Sequence, residues 1–141
     1  MRHMETFFNA SLEEQIQGVF EDAEEVKDYS ARWVNILHDQ ICYLLRHQNL
    51  ELMKLKMQYE CACDRLEGFK ETRRQLWNRR EHAGHQDVYD GIHRSSIEAT
   101  RIKGEKERCL DRINKLQGLE ERVYPFKAWA EHGPLGYDPL A

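Results

Sequence analysis

From Leu12 to Arg80 the apolar residues return at alternating steps of four and three: Leu12, Ile16, Val19, Ala23, Val26, then Trp33, Leu37, Ile41, Leu44, and onward through Leu52, Leu55, Tyr59, Ala62, Leu66, Phe69 and Leu76. A spacing that averages near 3.5 residues keeps one stripe on one face of an α-helix, so this pattern predicts a helix that buries a narrow seam against another helix. Polar Ser30, Gln48, Arg73 and Arg80 occupy seam positions, and two steps of four follow one another at Trp33-Leu37-Ile41 and Leu44-Gln48-Leu52. Such stutters locally unwind a supercoil. A start signal precedes the stripe, because Ser11 and Glu14 have the S-x-x-E spacing of a capping box.

A second, more polar seam runs Ile92, Ser95, Ala99, Ile102, Lys106, Cys109, Ile113, Leu116, Glu120, Val123. Between the two, Gly84 suits the left-handed position beyond a helix end, and Asp87 is placed to cap the second helix with Asp90 in its first turn. Gly91, Gly104 and Gly118 each cost a helix interior about 1 kcal/mol relative to Ala, so the second helix is expected to depend on packing for its order. The three prolines, Pro125, Pro134 and Pro139, all follow these seams. Pro125 is expected to stop or kink the helix, leaving a short helical turn and an extended tail over 125–141, while residues 1–10 are expected to form a flexible N-terminus.

The predicted fold is therefore all-α: over 11–124, a long helix from Leu12 to His82 and a shorter antiparallel helix form a coiled-coil hairpin that covers the C-terminal half of the first helix and leaves its N-terminal half bare. The alternative is a three-helix antiparallel bundle, in which Arg46-His47-Gln48-Asn49 is a turn and every seam is covered. The hairpin is favoured because that stretch holds neither Gly nor Pro.

In the hairpin, the richest apolar segment is unpaired. Trp33, Val34, Leu37, Ile41, Leu44 and Leu45 cover more of the helix circumference than a two-stranded seam uses, and an exposed stripe of that extent marks a binding surface for a partner helix or a second copy. In the bundle the same residues are core. Charge adds a possible orientation: Glu13, Glu14, Glu21, Asp22, Glu24, Glu25 and Asp28 are acidic, whereas Arg65, Lys70, Arg73, Arg74, Arg79 and Arg80 are basic, so an antiparallel homodimer brings acid against base.

Other chemistries have weaker signals. Arg73, Arg74, Arg79 and Arg80 around Trp77 resemble a phosphate-and-base contact set, but Leu76 and Trp77 also fit the apolar stripe and Glu67, Glu71 and Glu81 interrupt the patch. With a formal net charge of −4, neither nucleic acid nor an anionic membrane is expected as partner. His82, His85 and His93, with Asp87 and Asp90 between them, are candidate metal ligands in a competing reading as a metal- or ligand-binding bundle, although their spacing follows no familiar zinc pattern. Cys61 and Cys63 diverge by about 200° on a helix and cannot both face one ion. No phosphate loop, nucleophile elbow or H-E-x-x-H motif occurs, so neither catalysis nor a cofactor is expected. Absent an apolar stretch of spanning length or a secretory h-region, and with Cys42, Cys61, Cys63 and Cys109 inside helical pattern, a reducing cytoplasmic setting is expected. The tail from Gly133 to Ala141, apolar residues between prolines, has the composition of a docking peptide, although a frayed terminus is the favoured reading.

Overall fold

The computed structural model describes residues 4–132, and the tail read as extended lies outside them. The described residues form four α-helices, α1 (Met4–Asn9), α2 (Leu12–Glu24), α3 (Ala31–Asn78) and α4 (His85–His132), with a 3-10 turn at Val26–Asp28. Among the described residues there is no strand, and no helix is long and apolar enough to cross a membrane. Helices α3 and α4 pack together as a helical hairpin, and α3 runs without interruption through Arg46 to Asn49, as the preferred reading required.

Three boundaries differ from expectation. The helix begun at Leu12 ends at Glu24 rather than continuing to His82. Glu25 N–H bonds back to Asp22, the 3-10 turn follows, and Tyr29 is extended at φ −84°, ψ 145° before Val34 N–H bonds to Ser30 O to close the first turn of α3. Lys27, Asp28 and Ser30 are exposed and offer a continued seam little to bury, while Tyr29 still packs against the core from the break, so ending the helix there sacrifices little and lets α2 fold across α3.

The second difference is at the N-terminus, where residues read as flexible form α1. Phe7 is buried against the core, Gln15 Nε2 donates to Phe7 O at 2.9 Å, and Ser11 Oγ accepts from Glu14 N–H at 3.3 Å, the predicted cap. The third is at Pro125, through which α4 passes. A proline in a helix interior costs about 3 kcal/mol, since it removes a backbone donor and crowds the preceding turn. Continuing the helix keeps Val123 and Phe126, three apart on one face, against the core, and Glu121, whose carbonyl loses its donor, is exposed to water. With both α3 and α4 at 48 residues, the second helix of the hairpin is not the shorter one.

The chain divides into two compact units: the part up to Asn49 with α4 from Arg112 onward, and Leu50–Asp111. The first has a layered core in which Phe7, Val19, Ala23 and Val26 meet Val34, Leu37, Ile41 and Leu44 of α3 and Leu116, Leu119 and Val123 of α4. Polar contacts that join α3 and α4 inside it include His38 Nε2 to Glu120 Oε1 at 2.9 Å and Arg112 Nε donating to Gln48 Oε1 at 2.8 Å. The second unit is a two-helix seam of smaller buried residues, Leu55, Ala62, Val88, Ser95, Ala99, Ile102 and Cys109. Gly91 allows a close approach in it, since a Cβ there would lie 2.6 Å from the Phe69 ring.

Candidate functional site

The stripe expected to bind a partner is occupied from within. Leu37, Ile41 and Leu44 have 0% exposure and Val34 3%, while Trp33 and Leu45 are half-buried. The N-terminal half of the stripe is not bare, because the break after Glu24 returns α1 and α2 to cover it. In this respect its burial agrees with the bundle reading, although the turn at Arg46 to Asn49 on which that reading depended does not form.

The turn end of the hairpin is different. An open cleft of about 790 Å³ lies there, lined by Arg73 and Trp77 from the end of α3, Arg80, Glu81 and His82 from the connection, and His85, Gln86 and Tyr89 from the start of α4. Trp77 is 68% exposed and Tyr89 64%, so two of the largest apolar surfaces in the second unit face water. Single exposed aromatics are ordinary, but two lining one concavity form a surface ready to be covered.

The backbone that shapes this cleft is specific. Glu81 N–H bonds to Leu76 O at 3.0 Å and Arg80 N–H to Trp77 O at 3.2 Å, the paired bonds of a Schellman end. The left-handed residue in that motif is Arg80, at φ 56°, where glycine is customary. Gly84, expected in that role, is also left-handed at φ +85°, but its carbonyl accepts from Val88 N–H and so opens α4 instead of closing α3. Asp87 lies in the first turn of α4, complementing the helix dipole rather than capping. A side chain in the left-handed region costs roughly 1–2 kcal/mol, a strain that leaves Arg80 on the cleft wall.

Charge in the cleft is partly committed. Arg74 pairs with Glu71 at 2.9 Å and turns to the outside of α3, but Arg73 and Arg80 make no ion pair among the described residues. His85 Nε2 lies against the Glu81 carbonyl, a contact across the turn. Its ring meets Trp77 edge-on, with centroids 5.1 Å apart at 62°.

Of the histidines named as metal candidates, His82 and His85 line the cleft and His93 does not. Among the described residues no three His, Cys, Asp or Glu side chains gather closely enough to hold a metal ion. A different grouping lies in the first unit, where Cys42 Sγ is 3.6 Å from Nδ1 and 3.8 Å from Nε2 of His38, which pairs with Glu120. Burial, followed by the charge of Glu120, raises the Cys42 thiol above its ordinary value, so the group favours the thiol over a nucleophilic thiolate.

Sequence reasoning singled out Arg73, Trp77, Arg80, His82 and His85 but neither Gln86 nor Tyr89. The available signal was that Val88 stands four residues before Ile92 and continues the second seam inward, which turns its neighbour Tyr89 away from it. Comparison with protein-family models, with characterised proteins and with solved structures gives no significant match to this chain.

Proposed function

We propose that this protein is a non-enzymatic interaction module, a helical hairpin that docks a partner protein on the cleft at its turn. The observation that carries this reading is the contrast in exposure: the richest apolar stripe is spent on the chain's own core, while Trp77 and Tyr89 remain open beside two arginines without ion pairs. Aromatic and arginine side chains supply most of the energy at protein interfaces, and here both kinds line one concavity.

Several observations support the accompanying details. Glu81 inside the cleft and Glu71, Asp87 and Asp90 near it break the positive run that a nucleic-acid backbone would follow. All four cysteines are free, and Cys61 is exposed, which suits a reducing compartment such as the cytoplasm. The partner surface proposed here is the cleft rather than the stripe at Trp33 to Leu45.

Selection from a random-peptide display library tests the reading, with the Trp77→Ala/Tyr89→Ala double variant as counter-selection. Peptides that bind the natural chain and lose at least tenfold in affinity for the variant are the expected result. No enrichment, or enrichment of peptides indifferent to the variant, would sink the proposal.

A further inference from the structure

The cleft at the turn has a matching surface on the same chain. Between residues 5 and 28 there are eight acidic residues and a single base, Lys27, whereas from Arg73 to Arg80 there are four arginines and no acid. Within the acidic segment an apolar projection stands out. Phe8 is 47% exposed, packed edge-on to Tyr43 at 4.8 Å, and Leu12 is 38% exposed at the start of α2. Glu5, three residues before Phe8 on α1, and Glu13, beside Leu12, are both exposed. The α1–α2 segment thus presents an aromatic and an aliphatic side chain flanked by carboxylates, and the cleft presents two aromatics with the guanidinium groups of Arg73 and Arg80 against the single carboxylate of Glu81.

We infer that the cleft receives the acidic α1–α2 surface of a second copy, Phe8 and Leu12 covering Trp77 and Tyr89 while Glu5 and Glu13 neutralise Arg73 and Arg80. This rests on the cleft being a protein-docking site and names its occupant. Guanidinium groups hold carboxylates through paired, charge-assisted hydrogen bonds, which gives the contact a fixed orientation. The contact joins unlike faces, so its signature is association that is both salt-sensitive and specific for the sign of charge on each face.

The test is the mass of the full chain by light scattering over a concentration series at low and high salt. Association at low salt that weakens as salt rises is expected. The variants Arg73→Glu/Arg80→Glu and Glu5→Lys/Glu13→Lys should each lose association at least tenfold when alone, and regain it when mixed with each other, with circular dichroism confirming that both remain helical. Trp77→Ala/Tyr89→Ala changes two exposed residues and no charge, and should cause the same loss. A natural chain that stays monomeric throughout, association indifferent to the cleft variants, or a mixture that fails to recover would each overturn the inference. If the chain is monomeric yet display selection still yields cleft-dependent peptides, docking stands and self-pairing falls.

Discussion

The two units use one heptad rule and reach different results. In the first, the seam residues Leu37, Ile41 and Leu44 are accompanied by apolar neighbours, Tyr43 and Leu45, and a third layer, α1 with α2, covers them. In the second, Leu55 and Ala62 are flanked by Lys54, Lys56, Glu60 and Asp64, and two helices suffice. Seam spacing thus determines which face turns inward. The character of the residues beside the seam determines how many helices that face recruits.

That contrast is open to direct test, most forcefully in the layered core. Leu37→Asp with Leu44→Asp places two carboxylates without partners where exposure is 0%, and each should cost on the order of 4 kcal/mol. Urea titration followed by circular dichroism should show the helical signal collapse. A folded double variant would mean that the stripe is not intramolecular core. Phe7→Ala removes the buried ring of α1 and should cost about 3 kcal/mol, with hydrogen exchange speeding in α1 and α2.

Glycines in the two units should respond oppositely. Gly91→Ala drives a methyl against the Phe69 ring and should lose about 1 kcal/mol net, overpacking outweighing the helix-propensity gain. Gly118→Ala meets nothing within 4 Å and should gain about 1 kcal/mol, so thermal melts of the pair should move in opposite directions. Arg80→Gly relieves the left-handed strain and should also stabilise the second unit by about 1 kcal/mol while weakening ligand capture at the cleft, a split visible by comparing melts with binding.

The smallest expected effect is one of pH in the first unit. Burial, then Asp22, raises the Tyr29 hydroxyl from 10.0 to about 12, and its oxygen lies 3.2 Å from Asp22 Oδ1. In the unfolded chain the phenol ionises first, so between pH 10 and 12 the folded state binds more protons and stability falls as pH rises. Below pH 10 this contribution is constant. Tyr29→Phe should flatten the high-pH side of a melting-temperature profile, and an unchanged slope would remove Tyr29 as its cause.

Both seams were legible in the sequence because burial follows period. Leu37, Ile41, Leu44, Leu55 and Ala62 on α3, and Ser95, Ala99, Ile102, Cys109, Ile113, Leu116 and Val123 on α4, are all buried as their spacing predicts. What escaped the reading depended on tertiary competition. Lys27 to Ser30 contains neither Gly nor Pro, so nothing local announced the turn that sends α2 across α3. Pro125 announced a stop that did not occur, because Phe126 has a core to reach. The cleft was half legible: its arginines, Trp77 and histidines came from one stretch of chain, but Tyr89 joined them only through the turn, whose left-handed residue was an arginine rather than the expected glycine.

The His38–Glu120 and Gln48–Arg112 contacts in the first unit have a further consequence for alignment. A periodic apolar seam tolerates sliding by one heptad, since leucines meet leucines again seven residues on. His38 and Gln48 do not tolerate it. Shifting α4 by seven residues in one direction sets Ile113 in place of Glu120 opposite His38, and in the other sets Leu119 in place of Arg112 opposite Gln48. Either slip buries a polar side chain against an aliphatic one, at roughly 1–3 kcal/mol. These two contacts therefore act as an index that tells a repeating pattern where to stop.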